Sequence, residues 1–263
     1  MRALILAAGR GERLRPLTDD RPKCLVRLAG KPLLAWQTAA LRAAGVERVA
    51  VVGGWRADRL RRRGLVRFVN CAWRRTAMVA SLLAARRWLA AGPCIVVYGD
   101  VVCHPMVLRA LAGATADVAI TYDTAWRALW RARFARPEDD AESLRVVAGR
   151  VRAIGARIGD VAECDGQFMG LLRLTPRGLG RIAALVARLG AERADRLETT
   201  ALLASLVARG VAVEAIPVRG RWCEVDRVTD LGLYERRIAT GRAWRHDWRP
   251  APSRRSGRAG RPA

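Results

Sequence analysis

With 263 residues and 51% hydrophobic side chains, the chain carries enough apolar material for one α/β domain, or one domain with a small insertion. No apolar run approaches 18 residues, which excludes a membrane-spanning helix. The first run ends in Gly-Arg-Gly-Glu-Arg rather than a small-residue cleavage site, so a cytoplasmic protein is expected. The net charge of +24 would attract polyanions, but only Lys23 and Lys31 among the 48 basic residues are lysines, and Asn70 is the sole asparagine. That bias toward arginine reads as codon usage, so the charge is scattered over helix faces and marks no dedicated nucleic-acid surface.

In chain order, residues 3–8 read as a buried strand and Leu33–Ala44 as a helix closed by Gly45. Strands follow at 49–52 and 66–69, then a helix over 78–89. Next come a strand within PCIVVYGD (93–100) and another in DVAITY (117–122). This rhythm predicts a doubly wound, mostly parallel α/β sheet, Rossmann-like in architecture. The rhythm changes at DTAWRALWRARFARPEDDAE, and 123–165, with a hairpin over 145–158, reads as a small inserted subdomain. GQFMGLLRL (166–174) reads as a strand, followed by helices near 177–190 and 195–209, a strand at 212–218, WCEVD (222–226) and a helix over 228–240. The main domain is thus expected over 1–240. Residues 241–263, with seven arginines against one aspartate, read as a basic, disordered tail.

The six cysteines form no Cys-x-x-Cys pair and do not space with His104 or His246 as zinc ligands, so reduced, mostly buried thiols are expected.

The chemistry concentrates where strand 3–8 stops. In open α/β sheets, ligands bind beyond the carboxyl ends of the strands. There Gly9-Arg10-Gly11 lets the backbone approach closely and point N–H groups at anionic oxygen, while Arg13 and Lys23 add cations. Where nearly every other basic residue is arginine, Lys23 is expected to need a compact point charge. The loop is neither a P-loop nor a Rossmann fingerprint; it reads as a phosphate cradle, the alternative being a strand–loop with solvated charges. Asp100 and Asp226 end two strands at the same edge and suit one Mg²⁺, which takes few carboxylates plus phosphate oxygens. The alternative is that they cap a turn and the last helix.

LILAAGRGERL with RPKCLV, then YGD, then WCEVD, resembles the nucleotidyltransferases that join a nucleoside triphosphate to a phosphorylated acceptor. W-x-x-x-W-x-x-R-F, D-A-E and GQFMGLL point to the branch of bacterial choline-phosphate, phosphonate and phosphoramidate cytidylyltransferases. The resemblance implies CTP and a small phosphorylated or phosphonate acceptor as partners, phosphocholine, an aminoalkylphosphonate or phosphoglutamine among them, with Mg²⁺ as cofactor. It implies that Leu6, Ala7, Ala8, Gly9 and Gly11, with Thr76, Ser81 and Tyr98, bind the nucleotide. Arg13 would hold the departing phosphates, Lys23 would offset charge at the α-phosphorus, and Asp100 and Asp226 would hold the metal. Trp126 and Trp130, with Phe134, would form an aromatic wall for a quaternary ammonium. Asp140, Glu142, Gln167 and Glu224 would complete the acceptor side. The alternatives are that the tryptophans only pack the segment, that Asp139, Asp140 and Glu142 pair with Arg131, Arg133 and Arg136, and that Ser81 is a helix-face hydroxyl. A hexose-1-phosphate nucleotidyltransferase, and at a greater distance a basic nucleic-acid-binding protein, remain the alternative functions. The oligomeric state, monomer or homodimer, is left open.

Overall fold

Each apolar run cut by glycine, proline or charge becomes an element of one layered α/β body. The computed structural model describes residues 1–250. Its first half runs β1 (Arg2–Ala7), a small hairpin of β2 (Arg27–Leu28) and β3 (Lys31–Pro32), α1 (Leu33–Ala43), β4 (Arg48–Gly53) and β5 (Leu65–Val69). It continues through α2 (Met78–Ala84), α3 (Arg86–Ala90), β6 (Cys94–Tyr98), β7 (Val101–Cys103), α4 (Pro105–Ala112) and β8 (Val118–Asp123). The second half comprises α5 (Trp126–Arg133), β9 (Glu142–Val147), β10 (Arg150–Arg157), β11 (Gln167–Leu174), α6 (Pro176–Ala187), α7 (Ala191–Asp195), α8 (Thr199–Ala208), β12 (Val213–Val218), β13 (Trp222–Glu224) and α9 (Val228–Ala239).

Nine strands form the main sheet in the order β5-β4-β1-β6-β11-β8-β12-β10-β9. β5, β4, β1 and β6 run parallel, with Leu4 level with Ala50 on one side and Val96 on the other. β11 is antiparallel to both β6 and β8, so the sheet is mixed, with a parallel core and a reversed strand in its middle. Residues Ala3–Ala7 are buried throughout β1, as expected of a strand covered on both faces.

Three features depart from the sequence reading. The helix expected over 78–89 is broken at Ala85, where the turn lets the Trp88 indole donate to the main-chain oxygen of Ala3 at 3.1 Å. The 123–165 segment, expected as an inserted subdomain, contributes strands to the main sheet itself. Its hairpin β9–β10 continues the main sheet, β10 meeting β12 at the single pair Arg150 and Glu214.

The third departure is the basic tail. Residues 241–250 are packed, not disordered, while 251–263 lie outside the described residues. His246 and Trp248 are buried; Trp248 packs edge-on against Trp36 and beside Tyr234. The main-chain N–H of Arg221 donates to Arg245 at 2.8 Å, and His246 Nε2 lies 2.9 Å from Asp123 Oδ2. Buried Trp248 and His246, with half-buried Trp244 against Tyr234, anchor this strap, which its arginine and proline content concealed. Hydrogen bonds, His246 first among them, outweigh burial and hold the Asp123 carboxyl below the usual aspartate range.

All six cysteines are unpaired, and five are buried. Burial pushes the thiols of Cys24, Cys94 and Cys103 up to about 12, so they are inert apolar fillers at neutral pH.

Candidate active site

Because β4, β1 and β6 are parallel neighbours, their carboxyl ends deliver Gly53-Gly54, Ala8-Gly9 and Gly99-Asp100 to one edge. A cavity of about 260 Å³ opens there. Leu6, Ala7, Ala8, Gly9 and Gly11 line one wall. Two of the glycines are sterically required. A Cβ on Gly99 would stand 2.7 Å from the Leu6 carbonyl oxygen. Gly11 adopts φ +78°, and a Cβ there would come within 3.0 Å of Lys23 Cβ. The glycine loop is therefore folded onto the aliphatic stem of Lys23.

Thr76 and Ser81 line the same cavity. The only asparagine of the chain holds them: Asn70 Nδ2 donates to Thr76 Oγ1 at 2.9 Å and to Ser81 Oγ at 3.0 Å. Ser81 is thus a buried, oriented group of the cavity rather than an exposed helix-face hydroxyl.

Lys23 lines this cavity as well. Its Nζ donates to Asp100 Oδ2 at 2.7 Å and also pairs with Asp226 Oδ1. Burial opposes its charge, but Asp100 and Asp226 overcome that cost and raise it above the usual lysine range, so it is an ammonium at any working pH. Arg13 Nη2 approaches Asp226 Oδ1 at 3.1 Å. Carboxylate oxygens of Asp100, Glu224 and Asp226 lie within 4.8 Å of one another. Burial, then the neighbouring Asp226, drives Glu224 well above the glutamate range. Asp226 goes the other way: burial is outweighed by a hydrogen bond from Glu224 and by Lys23, so it stays ionised. Asp100 Oδ1 is buried without a hydrogen-bond partner. An orphaned carboxylate oxygen facing two more carboxylates is a donor set fitted to a hard divalent cation.

A second cavity, about 290 Å³, adjoins the first: Glu198 lines both, while Asp100 lines the first and Asp226 the second. Asp140, Glu142, Glu198, Glu224 and Asp226 all line it, with Arg13 the one basic side chain among its lining residues. Burial raises the Asp140 carboxyl despite Arg133, and raises Glu142 despite a hydrogen bond from Thr200.

Several expected residues are placed differently. Tyr98, expected with the nucleotide-binding residues, lines this second cavity and not the first. Burial raises its hydroxyl well above the tyrosine range. Trp126 is fully buried and lines neither cavity; it stacks edge-on beneath Trp130, which alone reaches the wall. Phe134 already has the guanidinium groups of Arg133 and Arg227 over its ring, each 4.8 Å from the centroid. No cage of Trp126, Trp130 and Phe134 exists. Gln167 lines the cavity with its amide committed: Nε2 donates to the Glu142 carbonyl at 2.6 Å, and Oε1 accepts from the Glu142 N–H at 3.2 Å. It sets the position of Glu142.

Glu198, which the sequence places near the acceptor side without a role, and Arg133 lie outside the expected set of site residues. Glu198 sits between the cavities. Arg133 is not a solvated partner of Asp139, Asp140 or Glu142; it is buried against Asp230, and only Arg136 pairs with Asp139, at the surface. The spacing of 126, 130 and 133 places Arg133 on the same helical face as the tryptophans, a signal for its burial. A larger open cleft of about 650 Å³, lined by Arg150, Arg177 and Arg181, holds none of the expected site residues.

Comparison with known proteins places the chain in a family. The family model of the MobA-like NTP transferase domain matches residues 3–161. The chain is 31% identical over 247 residues to a CTP:phosphoglutamine cytidylyltransferase of Campylobacter jejuni, covering 88% of this chain and 98% of that one. Among solved structures, the inositol-1-phosphate CTP transferase of T. maritima superposes with a TM-score of 0.71 at 21% identity, covering 92% of this chain and 98% of that one. The CTP:phosphocholine cytidylyltransferase of Streptococcus pneumoniae gives 0.69 at 20% identity, over 90% and 98%. At those identities the structures establish the fold. With the glycine loop, the carboxylate edge and the two adjoining cavities in place, the chain belongs to the MobA-like NTP transferase family and is a nucleotidyltransferase.

Proposed function

We propose that the protein is a Mg²⁺-dependent cytidylyltransferase that moves CMP from CTP onto an oxygen of a small phosphorylated or phosphonate acceptor carrying an amino group, releasing pyrophosphate. One observation carries the reading. In a chain of net charge +24, a glycine-lined cavity and a cavity lined by five carboxylates meet on the Asp100–Lys23–Asp226 cluster. An acidic pocket in so basic a protein selects for a cationic group. The choice of CTP is supported by the full-length relative that uses it.

The residues divide the work. Main-chain N–H groups of the Gly9–Gly11 loop face the phosphates, and Thr76 and Ser81 the nucleoside. Asp140, Glu142 and Glu198 hold the acceptor's ammonium and leave its phosphoryl or phosphonyl oxygen toward Asp100 and Asp226. That oxygen is ionised at neutral pH and attacks the α-phosphorus directly, so no base is needed. The bond from α-phosphorus to the bridging oxygen breaks, and its electron pair leaves with pyrophosphate. Lys23 and Arg13 offset the charge, so catalysis rests on positioning and electrostatics. Asp100, Glu224 and Asp226 would hold Mg²⁺, which when bound supplies Lewis-acid stabilisation of the phosphate oxygens.

The test is pyrophosphate release with Mg²⁺ and CTP, UTP, GTP, ATP or dTTP, each against phosphocholine, 2-aminoethylphosphonate, phosphoglutamine and glucose-1-phosphate. Turnover is expected with CTP and an amine-bearing acceptor. Turnover confined to glucose-1-phosphate would overturn the acceptor assignment.

A further inference from the structure

Arg133 ends α5, the helix whose Trp130 lines the acceptor cavity, yet its own side chain is 0% exposed and cannot touch a substrate. Its guanidinium is locked on three sides. Nε and Nη2 grip the two oxygens of Asp230 at 3.1 and 3.2 Å, a fork on a fork. The rings of Trp130 and Phe134 lie across its face, at 5.3 and 4.8 Å to their centroids. What remains of the fork points at two members of the carboxylate cluster, Glu224 Oε2 at 3.5 Å from Nη1 and Asp226 Oδ2 at 3.6 Å from Nη2.

Asp226 is thereby divided. Oδ2 faces Arg133, while Oδ1 faces Lys23 and Arg13 in the cluster. The backbone is held by the same pair, since Asp230 Oδ2 accepts from the N–H of Asp226 at 2.8 Å and of Arg227 at 3.0 Å. Two further bonds fix this stretch: Val225 N–H donates to the Asp100 carbonyl at 3.1 Å, and Tyr234 donates to the Glu224 carbonyl at 2.8 Å.

We propose that Arg133 and Asp230 are a positioning pair that sets the orientation of Glu224 and Asp226, and so couples the acceptor-cavity helix α5 to the cation-binding carboxylates. The proposal rests on the reading of Asp100, Glu224 and Asp226 as a divalent-cation site. Lysine cannot replace Arg133, because a point charge satisfies one carboxylate at a time, whereas the planar fork holds Asp230 and keeps a fixed direction toward the other two. Groups behind metal ligands typically change metal affinity or activity by about 10- to 100-fold when lost.

The experiment measures Mn²⁺ binding to the free enzyme by electron paramagnetic resonance, alongside kcat, the KM for CTP and the melting temperature, for R133K, D230N and the double variant. D226N serves as the reference for the site itself. R133K keeps the charge, and D230N keeps an oxygen for the two main-chain N–H groups, so both are built to fold. R133K is expected to weaken Mn²⁺ binding by about tenfold or more and to lower kcat by a similar factor, with the KM for CTP within about threefold. D230N should shift both in the same sense, and the double variant should be little worse than the worse single change, because the two side chains act as a unit. Mn²⁺ affinity and kcat within twofold of the parent in both single variants would overturn the proposal. Should R133K fail to fold, D230N decides by the same criterion. If D226N itself leaves Mn²⁺ binding unchanged, the cation site is wrong and this inference falls with it. If D226N abolishes binding while R133K and D230N do not, the positioning role alone fails.

Discussion

The two cavities that meet at Asp100 and Asp226 are built by opposite means. The cavity proposed for the nucleotide is made largely of backbone and small side chains, Ala7, Ala8, Gly9, Gly11 and Gly99 among them, and its shape follows from where β1 and β6 stop. The cavity proposed for the acceptor is lined mainly by polar, charged and aromatic side chains from widely separated stretches, among them Tyr98, Trp130, Asp140 with Glu142, Gln167, Glu198 and Glu224. A triphosphate can be gripped by N–H groups that any sequence supplies, provided glycine lets them approach. An acceptor's identity has to be read by side chains, and these are free to vary without disturbing the strands that carry them.

The sharpest way to break this comparison is at the shared boundary. Asp226→Asn or Asp100→Asn should lower pyrophosphate release by about 10²- to 10³-fold, the scale of a lost electrostatic stabiliser at a reacting centre. Circular dichroism should show an intact fold. Turnover near the parent level in both variants would separate the two cavities functionally and remove the cluster from the chemistry.

Next in size are changes confined to the acceptor side. Asp140→Asn or Glu142→Gln should raise the acceptor KM about tenfold, near 1.4 kcal/mol, and leave the KM for CTP unchanged. Burial raises both carboxyls above their ordinary values of 3.8 and 4.5, so they take up protons at a higher pH than exposed carboxylates do. The acceptor KM should therefore climb on mild acidification, and each substitution should flatten that climb. The stability effect has the opposite sense. A carboxyl raised in the folded state binds its proton more tightly there than in the unfolded chain, so its contribution to stability grows as pH falls and is lost as pH rises through the raised value. A pH-independent acceptor KM between neutral and pH 5 would break the assignment of these carboxylates to a cationic group.

The smallest effect belongs to the nucleotide side. Ser81→Ala removes one of two hydroxyls held by Asn70 and should raise the KM for CTP by about two- to tenfold, the range of a single hydrogen bond. The acceptor KM should not move. An acceptor-side defect in this variant would show that the cavities are not read independently.

Much of this was legible before folding. β1, α1, β4, β5, β6, β8, β11, β12 and α9 fall close to their expected bounds because their apolar patterns are long and end in glycine or charge. The glycine loop and Asp100 come to one edge because strand ends in a parallel sheet must, whereas Asp226 arrives just past β13, which pairs antiparallel with β7 outside the main sheet, and Lys23 on a short turn. The strap at 241–250 was hidden, since composition averages over residues and three aromatic or imidazole anchors among arginines do not change the average. The aromatic wall failed for a related reason. Helical spacing places Trp126 and Trp130 on one face but does not say whether that face looks into a cavity or into the core.

From the sequence alone, the parallel core, its glycine-bearing edge and the family chemistry could be determined, because each depends on residues close together in the chain. The tertiary structure decided which charges meet. Arg133 finds Asp230 97 positions away, and Lys23 finds Asp226 across 203. A guanidinium among many carboxylates chooses by burial and direction, and neither exists until the sheet has brought α5, β13 and α9 together.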